Sequence, residues 1–270
     1  MEVKQVISPH IDDAILSLGG CILNWVRNGE KVKIINVFSK AGGINKDSIS
    51  VLAGKRYPTD FKSAMKIKKA EEKNIQNILK IEVEFLDWPD RNINIYSYKG
   101  DFFYKKSAIE RLKNDIRRKI DKDSPAFFPL AMGELRNHAD HIIARQVGLF
   151  LLKDGYDIRF YEDLPYFYQE NQRAKIPDFF QTIKKQDVSF LKEKHAMQVD
   201  ESLFGTNDYF KEIKLISVTE EIDMDEKVKI LGFYESQMEA DWLEAVRRHA
   251  LSSEDNKYYE TYWKPVCKRP

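Results

Sequence analysis

The sequence predicts an α/β fold in which a mainly parallel sheet is covered by helices on both faces. Two observations carry this. Short apolar runs alternate with amphipathic stretches of helical period through about the first 165 residues, and the glycines and polar clusters fall between them. Strand, helix, strand, helix in series calls for right-handed crossovers and parallel neighbours.

In order, residues 3–7, 31–38, 83–86 and 126–130 read as strands, and 13–27, 61–79 and 107–120 as helices. A further helix over 138–152 and a strand over 158–164 follow. Gly29, in "NGEK", stops the first helix. After about Pro165 the rhythm is less regular. "IKLISVTEEID" reads as one or two strands, and "MDEKVKILGFYESQMEADWLEAVRRHA" as two helices. The expected organisation is one domain over 1–270, with an α/β core to about 165 and an extension of the same domain over about 166–270.

The 270 residues carry a formal net charge of +1, with 43% hydrophobic and 32% charged residues. That composition argues against disorder and asks for neither nucleic acid nor an anionic membrane as partner. No apolar run approaches membrane-spanning length, so no membrane insertion is expected. Two cysteines, Cys21 and Cys267, make a disulfide framework improbable and exclude a cysteine-only zinc site. The first residues lack the basic flank and apolar core of a signal peptide, so a cytoplasmic location is expected. Neither a G-x-G-x-x-G after a strand nor a G-x-x-x-x-G-K-[ST] occurs, which leaves a dinucleotide or NTP site without support.

The informative stretch is "SPHIDDAILSLGG", residues 8–20. It places His10, Asp12 and Asp13 where the first strand ends and the first helix begins. A single Asp there is explained by helix capping, but two acids and a histidine are not. "RNHADH", residues 136–141, occupies the equivalent place after the fourth strand. Solvated histidines at a helix start would be the plain explanation. Yet only five histidines exist, and His10, His138 and His141 fall in these two acid-flanked clusters, at strand ends where open α/β sheets bind ligands. A shared metal site follows. Imidazole and carboxylate suit Zn2+ or another divalent first-row metal, with His10, Asp13 and His141 as the three ligands of an open catalytic site. Asp12 is then the spare carboxylate beside the water, as a general base must be.

These motifs resemble the P-H-x-D-D and H-x-D-H signatures of the PIG-L (LmbE-like) family of N-acetylglucosamine deacetylases. "KKAEEKNIQNILKIEVEFLDWPD" and "YESQ" are similar to further parts of that family. The resemblance implies a Rossmann-like three-layer sandwich. It implies the same ligands and base, with His138 stabilising charge or donating a proton and Asp140 tuning His138. It also implies a substrate-contacting lysine at Lys68 or Lys69. Ile11, Ala14 and Ser17 depart from the usual proline, glutamate and glycine without touching a ligand or the base.

The reaction so implied is amide plus water to amine plus acetate, on a small-molecule N-acetylated amino sugar or its conjugate, with metal-bound water as nucleophile. The alternatives are an amidase for a larger amide such as a thiol conjugate, and a non-catalytic metal-binding module. Glu162 and Asp163, at the end of the fifth strand, are placed for substrate contact. The aromatic stretches 166–172 and 258–263 either wall a sugar site or cover the sheet, and covering is the better reading. Asp87, Asp90 and Arg91 suit a turn, and His195 and His249 read as surface residues. The sequence leaves room for a homo-oligomer.

Overall fold

The computed structural model describes residues 2–40, 61–89, 106–132, 139–165, 173, 175–178 and 213–267. Seven strands form its sheet. They are β1 (Val3–Ser8), β2 (Lys31–Asn36), β3 (Glu82–Phe85), β4 (Ala126–Pro129), β5 (Ile158–Tyr161), β6 (Ile213–Glu221) and β7 (Tyr259–Cys267), in the order β3-β2-β1-β4-β5-β7-β6. The first five run parallel, and β7 is antiparallel to both β5 and β6. The described helices are α1 (Asp13–Arg27), α2 (Phe61–Leu79), α3 (Lys106–Arg117), α4 (Ala139–Lys153), α5 (Met224–Leu231) and α6 (Ala240–Ala250).

The central strands are apolar because both their faces are covered. All four residues of β4 and the last four of β1 are buried. From β1 the chain crosses to β2 on one side, while β4 lies on the other. The strand order therefore reverses between β1 and β4, and a crevice opens beyond their carboxyl ends. The turn holding His10, Asp12 and Asp13 follows β1 there, and α4, which carries Asp140 and His141 in its first turn, follows β4.

The helix after β1 is broken. Leu18 has non-helical φ/ψ of −125° and 17°, which splits α1 in two. The freed backbone groups are met from the C-terminal part of the chain. Glu260 accepts from the N–H groups of Gly20 (3.1 Å) and Cys21 (2.8 Å), and Lys227 donates to the carbonyl of Leu16 (2.6 Å). The close approach requires glycine. A Cβ on Gly20 would lie 2.6 Å from Ile222 Cβ.

The C-terminal part corrects one reading and sharpens another. Residues 213–221 form one strand of nine residues, and two helices follow as read. Most of the aromatic stretch 258–263 lies in a strand, β7, that its residue pattern does not predict. Its rings cover the sheet: Tyr262 packs edge-on to Phe127, with centroids 5.0 Å apart. Among the described residues no helix is long and apolar enough to cross a membrane.

Candidate functional site

The turn from β1 into α1 is closed by its own side chains. Ser8 Oγ donates to the His10 carbonyl (2.6 Å) and accepts from the Ala14 N–H (3.0 Å). Asp13 Oδ2 accepts from the His10 N–H at 2.7 Å. Asp12 occupies the N-cap position but makes no capping bond, and its φ of 138° is costly for a residue with a Cβ. Ser8 and Asp13 bond the turn's backbone, and the Asp12 carboxylate is left for other work.

Three donor atoms meet across the crevice. Asp13 Oδ2 lies 3.3 Å from His10 Nδ1 and 3.2 Å from His141 Nε2, and the two nitrogens are 3.3 Å apart. Bonds of about 2.0–2.1 Å to a tetrahedral ion put neighbouring donors about 3.3 Å apart, so this triangle has the dimensions of one tetrahedral face. The donor set, two imidazoles and a carboxylate, fits Zn2+ or a similar divalent metal in a site with a coordination position open. All three residues are buried.

Each histidine also meets a carboxylate with its far nitrogen. His10 Nε2 lies 3.2 Å from Asp140 Oδ2, and His141 Nδ1 lies 2.6 Å from Asp163 Oδ1. Such contacts fix ring orientation and raise the basicity of the nitrogen that faces the ion.

The site attracts positive charge. Burial would push His141 down, but Asp13 and Asp163 overcome it and hold it up at about 9. Burial likewise opposes ionisation of Asp13, yet His141 and His10 hold its carboxyl far below the usual range. Asp12, one residue away, behaves oppositely. Burial and the neighbouring Asp13 push it up to about 8, against the pull of Lys68 and His10. Two adjacent carboxylates thus differ in basicity because one lies between histidines and the other does not.

The remaining sequence-predicted residues are placed as follows. Lys68, half-buried on α2, acts electrostatically on Asp12, whereas Lys69 pairs with Asp87. Asp140 meets His10. His138, which the resemblance pairs with Asp140, lies outside the described residues, as do His195, Asp90, Arg91 and 166–172. Asp163 is buried, with its second oxygen on the Ala131 N–H at 2.6 Å. Glu162 is 3% exposed and accepts from Trp263 Nε1 (3.1 Å) and Arg173 Nη2 (2.7 Å). Both carboxylates are thus engaged by protein donors where sequence position suggested substrate. His249 is not a surface residue, as Glu162 binds its Nε2 at 2.7 Å.

Sequence reasoning missed the support beneath Lys68. One turn along α2, buried Glu72 accepts from the Tyr234 hydroxyl and from Asn36 Nδ2 (3.1 Å). Its neighbour Glu71 accepts from the Ser236 N–H and hydroxyl, both at 2.7 Å. The "YESQ" and "AEE" stretches pair across more than 160 residues, and such a pairing has no local signal.

A model of the family described as GlcNAc-PI de-N-acetylase, PIG-L, matches residues 5–151. The 2'-N-acetylparomamine deacetylase of Niallia circulans is 24% identical over 201 residues, covering 62% of this chain and 68% of that protein. Among solved structures, a deacetylase of the teicoplanin biosynthesis pathway matches with a TM-score of 0.71 at 18% identity, covering 98% of both chains. The N,N'-diacetylchitobiose deacetylase from Pyrococcus horikoshii matches with a TM-score of 0.58 at 14% identity, covering 98% of this chain and 84% of that one. At such identities the two structures establish a shared fold.

Proposed function

The chain belongs to the PIG-L family, and from that membership we propose that it is a metal-dependent hydrolase removing the acetyl group from an N-acetylated amino sugar or a conjugate of one. The observation that carries the reading is the triangle of His10 Nδ1, Asp13 Oδ2 and His141 Nε2, with the Asp12 carboxylate next in the chain. The relatives' names, an N-acetylparomamine deacetylase and a diacetylchitobiose deacetylase, share the N-acetylated sugar and motivate that substrate class.

His10, Asp13 and His141 would hold the ion, Zn2+ or another divalent first-row metal. When bound, it supplies Lewis acidity, polarising the amide carbonyl and making water easier to deprotonate. Asp12 takes a proton from the attacking water. Burial makes its carboxylate an unusually strong base once ionised, and Lys68 helps keep it ionised. After attack, the amide nitrogen must gain a proton before the C–N bond breaks. The Asp12 carboxyl, now protonated, holds that proton, and His138 is its companion in stabilising the oxyanion. The balance is amide plus water to amine plus acetate. Lys68 is the substrate-facing candidate on α2, while Asp163 supports His141 from behind. In this reading residues 1–270 act as one domain, because Glu260 and Lys227 secure the helix that begins at Asp13.

The test is a screen of N-acetylglucosamine, its glycosides and nucleotide-linked forms, with and without added Zn2+ or Co2+, following free amine and acetate together. Metal-stimulated release of both in equal amounts is expected. Amine with a larger acid would make the protein an amidase of another class. No release from any substrate, by protein with its metal bound, would refute the reading.

A further inference from the structure

Arg145 belongs to neither the donor triangle nor the base, yet its side chain is fully buried. An arginine inside an α/β core carries a desolvation penalty that leucine would avoid, so its contacts need a reason. It lies on α4 four residues after His141, hence on the same face. Its Nη1 donates to the carbonyls of Leu130 and Ala131, both at 2.9 Å, in the turn leaving β4. Ala131 has a φ of 50°, which a residue with a Cβ seldom adopts unaided. In that conformation its N–H donates to Asp163 Oδ2 at 2.6 Å, while Asp163 Oδ1 lies 2.6 Å from His141 Nδ1. The contacts close a circuit: His141, Asp163, the Ala131 backbone, Arg145, and back along α4 to His141.

We propose that Arg145 and Asp163 are positioning residues, which act through the Ala131 backbone to keep the His141 proton on Nδ1 and its Nε2 lone pair aimed at the triangle. This rests on the reading of His141 as a metal ligand. The two carboxylate oxygens of Asp163 serve two donors, the Ala131 N–H and His141 Nδ1–H. An asparagine has one acceptor oxygen, so Asp163→Asn must lose one of these contacts although its shape is kept. Arg145→Met removes the clamp on the turn, and Arg145→Lys retains a donor there.

The experiment is zinc affinity, measured by chelator competition on the full chain for the wild type, Asp163→Asn, Arg145→Met, Arg145→Lys, the Asp163→Asn/Arg145→Met double variant and His141→Ala. Removing a carboxylate that orients a ligand histidine typically costs about 10- to 100-fold in affinity, and Asp163→Asn should fall in that range. Arg145→Met should weaken binding in the same sense, Arg145→Lys should recover part of it, and the double variant should be no weaker than the worse single one. That non-additivity is what a shared path produces and two separate structural defects do not. Thermal unfolding identifies variants that fail to fold. If Arg145→Met is one, Asp163→Asn and Arg145→Lys carry the comparison. Wild-type affinity in Asp163→Asn, or simple addition in the double variant, overturns the proposal while His141→Ala still loses zinc. If His141→Ala binds zinc as the wild type does, the ligand reading itself has failed.

Discussion

Lys227 Nζ lies 2.5 Å from Glu260 Oε1, with both side chains buried at the break in α1. The pair does more than neutralise itself, because each member also meets a backbone group the break has freed. Lys227→Met would leave Glu260 as an uncompensated buried carboxylate, and losing one partner of such a pair typically costs about 3–5 kcal/mol. Urea unfolding should show a loss of that size. A change within about 0.5 kcal/mol would mean the pair contributes nothing to folding.

Gly20→Ala sets two effects against each other. Alanine favours a helix over glycine by about 1 kcal/mol. Against this, its Cβ would sit 2.6 Å from Ile222 Cβ, an atom fixed by its backbone, and overpacking of that kind costs about 1–3 kcal/mol. Net destabilisation is expected in the same unfolding measurement. A more stable Gly20→Ala protein would show that α1 and Ile222 separate at little cost.

Glu162 predicts a pH dependence of stability. Burial alone would raise its carboxyl, but His249 and Arg173 hold it below its ordinary value of 4.5. A carboxylate lowered in the folded state adds stability that is fully present above its unfolded value and lost as pH falls through the folded one. The stability gap between wild type and Glu162→Gln should therefore be widest above about pH 5 and should narrow below pH 4.5. Unfolding midpoints measured across that range check it, and a gap independent of pH would contradict it.

The core of the fold was legible because its physics is local. Apolar period, glycine stops and acid-flanked histidines at strand ends are visible in one dimension, and they led to the β1–α1 and β4–α4 corners. What was not legible depends on contacts far apart in the chain. Strand β7 hides because polar Glu260 and Thr261 interrupt it. Glu260 is there to meet Lys227 and the α1 break, which no local pattern announces. Asp140 meets His10 across 130 residues, a contact that no spacing within its own motif announces. Glu162 and Asp163 were read together, although neighbours continuing a strand point to opposite sides. That period would have separated them, and Asp163 does face His141 while Glu162 faces Trp263.

The rate profile should carry the signature of Asp12. A general base works when ionised, so kcat/KM should rise with pH along a limb set by Asp12. Its carboxyl is pushed up to about 8 by burial and Asp13, and a cation beside it lowers that value. The limb of the metal-loaded enzyme should therefore lie between the ordinary 3.8 and about 8. Lys68 pulls Asp12 down, so Lys68→Met should move the limb upward. A limb unmoved in Lys68→Met would separate Lys68 from the base.

The division of work between Asp12 and Asp13 is tested most directly by one paired measurement: bound metal per chain and acetate release for Asp12→Asn and Asp13→Asn at a single pH. Asp12→Asn should keep its metal and lose about 10²- to 10⁴-fold in rate, the usual worth of a general base. Asp13→Asn should lose metal, and excess metal should return part of its activity. Metal lost from Asp12→Asn but kept by Asp13→Asn would reverse the two roles, and near-normal metal and turnover in both would contradict a metal-dependent hydrolase built on this site.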